Sequence, residues 1–113
     1  VEATIEVPLA RNPSNPKAFR PDSEGKSAST TYTVKQQGKK TALVNLAPFT
    51  GRTHQIRVHM QYIGHPIVGD ELYGGKKADR LFLHAVSLEI TLPGGKRTVF
   101  ESKLPKAFVE HVK

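Results

Sequence analysis

Thr50-Gly51-Arg52-Thr53-His54-Gln55-Ile56-Arg57-Val58-His59-Met60 runs on to Ile63-Gly64-His65-Pro66-Ile67-Val68-Gly69-Asp70-Glu71-Leu72-Tyr73-Gly74-Gly75, and the rest of the chain reads outward from this stretch. Ile56, Met60 and Ile63 recur at i, i+4 and i+7, the period of a helix with one apolar stripe. The spacing predicts a helix over about residues 53–63, with Thr53 as N-cap and Gly64 then Pro66 ending it. Thr53, His54, Arg57 and Gln61 make a polar arc opposite that stripe.

On the N-terminal side, residues 29–36 and 41–48 alternate apolar and polar around Gln37-Gly38-Lys39-Lys40, which predicts a hairpin with two lysines at its tip. Residues 3–9 read as a short strand with Pro8 at its exit. Residues 10–27 show no period, and Pro13, Pro16 and Pro21 argue against a regular helix or ladder, so a long basic loop is expected. On the C-terminal side, residues 81–92 alternate as one long strand. Pro93-Gly94-Gly95-Lys96 reads as a turn, 97–101 as the returning strand, and 104–112 as a tail that contains Pro105 and then a short amphipathic helix. The fold class is therefore α+β: a mainly antiparallel, mixed sheet with one central helix and a short C-terminal one.

Composition narrows the classes. The chain has 113 residues, 37% hydrophobic and 24% charged, which fits one globular domain. It has no cysteine, which excludes disulfides, iron–sulfur clusters, thiolate zinc sites and cysteine nucleophiles. No apolar run approaches the ~20 residues of a membrane span, and no signal-peptide core opens the chain, so a cytoplasmic location is expected. The net charge is +7. Between Glu24 and Asp70 there is no acidic residue, while Lys26, Lys35, Lys39, Lys40, Arg52 and Arg57 all fall inside. Such a segment points to a polyanionic partner, and nucleic acid is the commonest one.

Several chemistries fail on spacing. His54 and His59 are five apart, so they do not share a helix face, and no carboxylate lies among His54, His59 and His65. No metal site is expected from them. No serine sits in a Gly-X-Ser-X-Gly turn. What remains is Arg52 and Arg57 at a helix N-terminus, where the dipole and free N–H groups favour an anion. Arg57 can hold a carboxylate or phosphate with both arms of its fork. No acid lies within a dozen residues of it, so its partner is expected far along the chain, on a ligand or in a segment outside the chain.

Gly51-Arg52-Thr53-His54-Gln55-Ile56-Arg57-Val58-His59, Gly64-His65-Pro66-Ile67-Val68-Gly69-Asp70, Leu72-Tyr73-Gly74 and Arg80-Leu81-Phe82-Leu83-His84-Ala85 together resemble the C-terminal motif set of the RluA family of RNA pseudouridine synthases. Order and spacing match over residues 43–105, and Pro8-Leu9-Ala10-Arg11 with Gly25-Lys26-Ser27-Ala28-Ser29-Thr30 resemble the stretch before it. The resemblance implies part of a pseudouridine synthase catalytic fold. It also implies isomerisation of uridine to pseudouridine in ribosomal or transfer RNA, without metal or organic cofactor. It gives Arg57 the role of pairing with a nucleophilic Asp, and it places Leu83 near the active-site floor. Arg52, His54, Lys26, Lys39 and Lys40 are the residues expected to contact RNA.

The family's His-Arg-Leu-Asp motif and its upstream Tyr motif have no counterpart here: Asp22, Asp70 and Asp79 stand in other contexts, and the chain starts at Val1 rather than Met. Residues 1–113 are therefore expected to be the C-terminal portion of a catalytic domain, inactive alone, whose partners are RNA and the missing N-terminal half. Two other readings stand beside this one. The first is a stand-alone basic RNA-binding module without catalysis. The second is a structural fragment that associates with a complementary chain.

Overall fold

Threonine and valine crowd Ser29–Gln37 (β4), and Ala42–Pro48 (β5) alternates against it, so the two pair antiparallel as the period predicts. Their register runs from Thr30 opposite Pro48 to Val34 opposite Val44. A bulge between Val34 and Gln36 then shifts it. Glu2–Glu6 (β1) joins the other side of β4, giving a three-stranded sheet in the order β1-β4-β5. The computed structural model describes residues 2–84, 87–91, 97–101 and 104–112.

The expected long loop over 10–27 is corrected by the structure. Leu9–Arg11 (β2) and Phe19–Pro21 (β3) form a short antiparallel ribbon inside it. Its prolines are placed where a ladder tolerates them: Pro13 and Pro16 lie in the turn, and Pro21 ends its strand opposite Leu9. The ribbon continues the main sheet, because Val7 N–H donates to Ala28 O (3.2 Å) and Leu9 and Lys26 exchange two bonds of 2.9 Å.

Gln55–Tyr62 (α1) is the central helix. The residues it buries are Gln55, Val58, His59 and Met60, while Ile56 and Ile63 are only half-buried. The apolar stripe that marks the helix in sequence is thus not its most buried face. Val58, fully buried, packs with Leu9, Ala18, Ala28 and Tyr73, and Phe19 lies against this cluster. Val58 and Leu9 each stabilise the fold by about 1.5–3 kcal/mol through burial.

The polar members of the buried face answer the sheet. Gln55 Nε2 donates to Ser29 O and Thr30 Oγ1, both at 2.9 Å, and Gln55 Oε1 accepts from Arg52 N–H (3.1 Å) and the Thr50 hydroxyl (2.5 Å). His59 lies 2.9 Å from Val7 O through Nε2 and 2.9 Å from Thr30 Oγ1 through Nδ1. A carbonyl only accepts, so Nε2 carries a proton and donates it to Val7 O, while Nδ1 shares a hydrogen bond with the Thr30 hydroxyl.

The helix start also differs from expectation. His54, not Thr53, is the N-cap; its φ is 55° and it makes no side-chain cap bond. The end is as expected. Gly64 adopts φ +85°, its N–H reaches Gln61 O at 2.9 Å, and His65 N–H reaches Met60 O at 2.9 Å. Beyond a bend, Glu71–Tyr73 makes one turn of 3-10 helix.

The strand expected over 81–92 is shorter in the structure. Ser87–Thr91 (β6) pairs antiparallel with Arg97–Glu101 (β7), whereas residues 81–84 are not in a strand. The turn expected at 93–96 lies outside the described residues. Lys106–Val112 (α2) is the C-terminal helix, and Phe108 packs on Phe82 with ring centroids 5.2 Å apart.

Candidate nucleic-acid interface

The expectation that the acid for Arg57 lies far away or outside the chain is corrected by Asp70, thirteen residues on. Arg57 Nε donates to Asp70 Oδ2 at 3.0 Å and Nη2 to Oδ1 at 2.9 Å, a fork-to-fork pair. The Asp70 side chain is 0% exposed and that of Arg57 22%. The turn between Gly64 and the 3-10 helix delivers Asp70 beneath α1, where Asp70 N–H donates to Ile67 O (3.0 Å) and Gly75 N–H to Asp70 O (2.7 Å). Asp70 strengthens the hold of Arg57 on its proton, so the guanidinium stays charged.

Tyr73 carries this pair towards the surface. Its ring lies 5.0 Å from the Arg57 guanidinium carbon, and its hydroxyl accepts Phe19 N–H at 3.0 Å. The same hydroxyl meets His54 Nδ1 at 2.6 Å. His54 stands edge-on to both Phe19 (5.7 Å) and Tyr73 (5.6 Å). Burial lowers the His54 pKa below 6.5, with Arg57 and Arg11 adding to the effect against Asp70. Burial raises that of Tyr73 above its ordinary value. Both shifts favour a phenol that donates its proton to a neutral imidazole. Phe19 in turn carries the Arg11 guanidinium, 4.9 Å from its ring centroid.

This chain of contacts ends at an open groove of about 450 Å³ between the β2–β3 ribbon and the Gly51–Thr53 turn. Arg11, Lys26 and Arg52 line it, with Glu24 the one carboxylate. Arg52 is held by its Nε, which donates to Ser27 O at 2.8 Å.

Of the residues the sequence singled out, Lys26 and Arg52 share this groove, and His54 and Arg57 stand behind it through Phe19 and Tyr73. Lys39 and Lys40 do not join them. They follow the end of β4, whose start at Ser29 is beside Gln55, and nine strand residues at ~3.3 Å each separate the two ends. Leu83 is half-buried on a segment whose neighbour Phe82 donates its N–H to Val68 O (2.9 Å), two residues from Asp70. Arg11, Asp70 and Tyr73 stand inside the motif stretches quoted from the sequence but carry no assigned role there, and Phe19 stands in none of them. The residues themselves signal only an aromatic and an arginine in an aperiodic segment, and a Gly-Asp pair just over a dozen residues beyond Arg57.

The neutral state of His54 has a consequence for stability. Its pKa is lower folded than unfolded, so between the two values the unfolded chain binds more protons and stability rises with pH. The contribution is present above 6.5 and is lost as pH falls through the lowered value. His54→Asn, which tolerates positive φ, removes the titration. The stability advantage of the parent over this variant is expected to shrink between about pH 7.5 and about pH 5.5 in urea denaturation. A constant difference would contradict the assignment.

Three comparisons bear on this arrangement. The family described as RNA pseudouridylate synthase matches residues 2–62. Ribosomal large subunit pseudouridine synthase C of Salmonella typhi is 42% identical over 104 residues, covering 80% of this chain and 33% of that protein. The dual-specificity RNA pseudouridine synthase RluA of Vibrio cholerae is 47% identical over 92 residues, covering 77% of this chain and 38% of its own length. The solved structure of human RNA Pseudouridylate Synthase Domain Containing 1 aligns with a TM-score of 0.79 at 31% identity, over 90% of this chain and 48% of that one. The chain thus spans between a third and a half of the length of these three proteins.

Proposed function

The chain belongs to the RNA pseudouridylate synthase family, and from that premise we propose that it forms the arginine-bearing part of a catalytic domain that isomerises uridine to pseudouridine in ribosomal or transfer RNA, in the cytoplasm. The attacking carboxylate is assigned to a segment outside these 113 residues, because Asp22, Asp70 and Asp79 all stand outside a His-Arg-Leu-Asp context and Asp70 is besides sealed against Arg57. By itself the chain is inactive. No metal or organic cofactor enters the reaction.

The observation that supports this reading best is the Arg57 guanidinium. A guanidinium has five N–H donors, and Asp70 takes two of them. The rest of the fork can meet a second carboxylate, and Asp70 and the Tyr73 ring hold it in orientation for that encounter. Arg57 is thus a positioning residue for the incoming acid. Arg52, Lys26 and His54 form the RNA-facing side, and Lys39 and Lys40 at the hairpin tip meet more distant phosphates. Leu83, on the segment beside the Asp70 turn, contributes to the floor of the uridine pocket.

The test uses the chain extended upstream to the length of its relatives, with RNA tritiated at uridine C5, where isomerisation releases tritium. The extended protein is expected to release tritium and the 113-residue chain none. Arg57→Lys keeps a charge for Asp70 but loses the fork, and about a 100-fold loss of turnover is expected, the usual effect of removing one aligned donor. Full activity in this variant would refute the role given to Arg57. RNA retention by the extended protein without tritium release would favour a binding module instead.

A further inference from the structure

The groove beside β2–β3 holds two arginines that the fold orients without neutralising. Arg11 Nη1 donates to Pro16 O at 2.5 Å while its plane rests over Phe19. Arg52 is anchored through Nε to Ser27 O. Both anchors are carbonyl or ring contacts, so neither removes charge. Among the described residues the ion pairs are Arg20–Asp22 and Arg57–Asp70, and neither Arg11 nor Arg52 takes part in one. The two guanidiniums therefore stand preorganised on one groove, each with N–H groups to spare.

Lys26 adds a third charge. Its backbone is fixed by the paired bonds to Leu9, so its stem leaves from a rigid point. Gly25 lets the chain pass there, since a Cβ at that position would overlap the Leu9 carbonyl. Glu24 is the single opposing charge among the groove residues. Anchored arginines along an open, mostly positive channel match a string of phosphates better than one isolated anion.

We infer that this groove clamps the sugar–phosphate backbone of a single-stranded RNA segment, with Arg11, Lys26 and Arg52 each contacting a phosphate. The inference rests on the reading of the chain as part of an RNA-modifying enzyme. It adds a place for the strand and a phosphate contact, Arg11, beyond the Lys26 and Arg52 already assigned to RNA. It also gives the Phe19–His54–Tyr73 contacts a purpose: they hold the Arg11 wall in register with the Arg57–Asp70 pair.

The test measures binding of a short fluorescein-labelled oligouridylate to the 113-residue chain by anisotropy. Salt is varied between about 50 and about 200 mM, where counterion release makes log K linear in log salt. Each cation that no longer meets a phosphate of the single strand reduces the slope by about 0.7. Arg11→Gln, Lys26→Gln and Arg52→Gln are each expected to reduce it by that amount and the triple variant by about 2. Arg11→Lys and Arg52→Lys are expected to restore it, which separates the missing charge from damage to the fold. Lys77→Gln, exposed and outside the groove, is expected to leave it unchanged.

Binding by the parent with slopes unaltered in the groove variants would overturn the groove and leave the RNA reading intact. Altered slopes without tritium release by the extended protein would keep the groove and remove the isomerase. No binding by the parent at the lower salt would overturn the groove outright.

Discussion

Arg57→Ala is expected to cost about 3–5 kcal/mol of stability, the range for breaking a buried ion pair from one side. The magnitude follows from what is left behind. The Asp70 carboxylate is entirely buried and both its oxygens are spoken for by Arg57, at 3.0 and 2.9 Å. Without the guanidinium it must ionise in a dry site, take up a proton or force the turn open.

The reverse deletion is milder. Asp70→Asn leaves Arg57, 22% exposed, with a route to water and a neutral oxygen to donate to, so about 1–3 kcal/mol is expected. Replacing both residues by apolar ones of similar volume should recover much of the loss, because desolvation offsets most of what a buried pair contributes. Urea denaturation of the two single variants and the double variant measures all three. Equal losses for Arg57→Ala and Asp70→Asn would show that burial does not set the asymmetry.

Gly69→Ala is the second severe change, expected to cost about 3 kcal/mol or more from two effects that add. Gly69 has φ +87°, where a side chain strains the backbone by ~1–3 kcal/mol. A Cβ there would also overlap the Arg80 carbonyl, and backbone can yield only by moving the segment that Phe82 ties to Val68. Such overpacking costs about 1–3 kcal/mol by itself. Gly64→Ala is the control: it shares a positive φ, +85°, but opens on empty space, so only the ~1–2 kcal/mol of the left-handed backbone is expected. Similar losses at the two glycines would mean that the close approach at Gly69 carries no weight. Since Gly69 precedes Asp70, its variant should also weaken the Arg57 pair.

These two sites show which parts of the molecule are legible in sequence. The β4–β5 hairpin is, because sustained alternation on both sides of a Gly-Lys-Lys turn leaves one local solution. Gly64 and Gly69 are too, since a glycine after a helix and before a bend has few other uses. The β2–β3 ribbon is not, because three-residue strands carry no period and the bonds that tie the ribbon to the sheet, Val7–Ala28 and Leu9–Lys26, join residues about twenty apart. The burial of Gln55 and His59 is equally hidden: their partners are Ser29, Thr30 and Val7, between 25 and 52 residues away. Residues 81–84 alternate like a strand, yet Phe82 and Leu83 spend their N–H groups on Val68 and Leu81. At the site, Arg52 and Lys26 can be named but not placed together, since only the fold brings Ser27 against Arg52.

The ladder that runs from β1–β4 through Val7–Ala28 and Leu9–Lys26 to β2–β3 makes residues 2–11 and 19–33 one bent two-stranded arm, and this sets the order of folding. Joining Glu6 to Ser29 directly would close a loop of 22 residues, whereas joining Arg11 to Phe19 closes only the seven from 12 to 18. Closure entropy grows with loop length, so the arm is expected to zip from its tip inward. The His59–Val7 bond spans 52 residues and locks α1 onto the arm afterwards. Changes in the proline-containing tip therefore act on how fast the chain folds, and changes under α1 on how fast it unfolds.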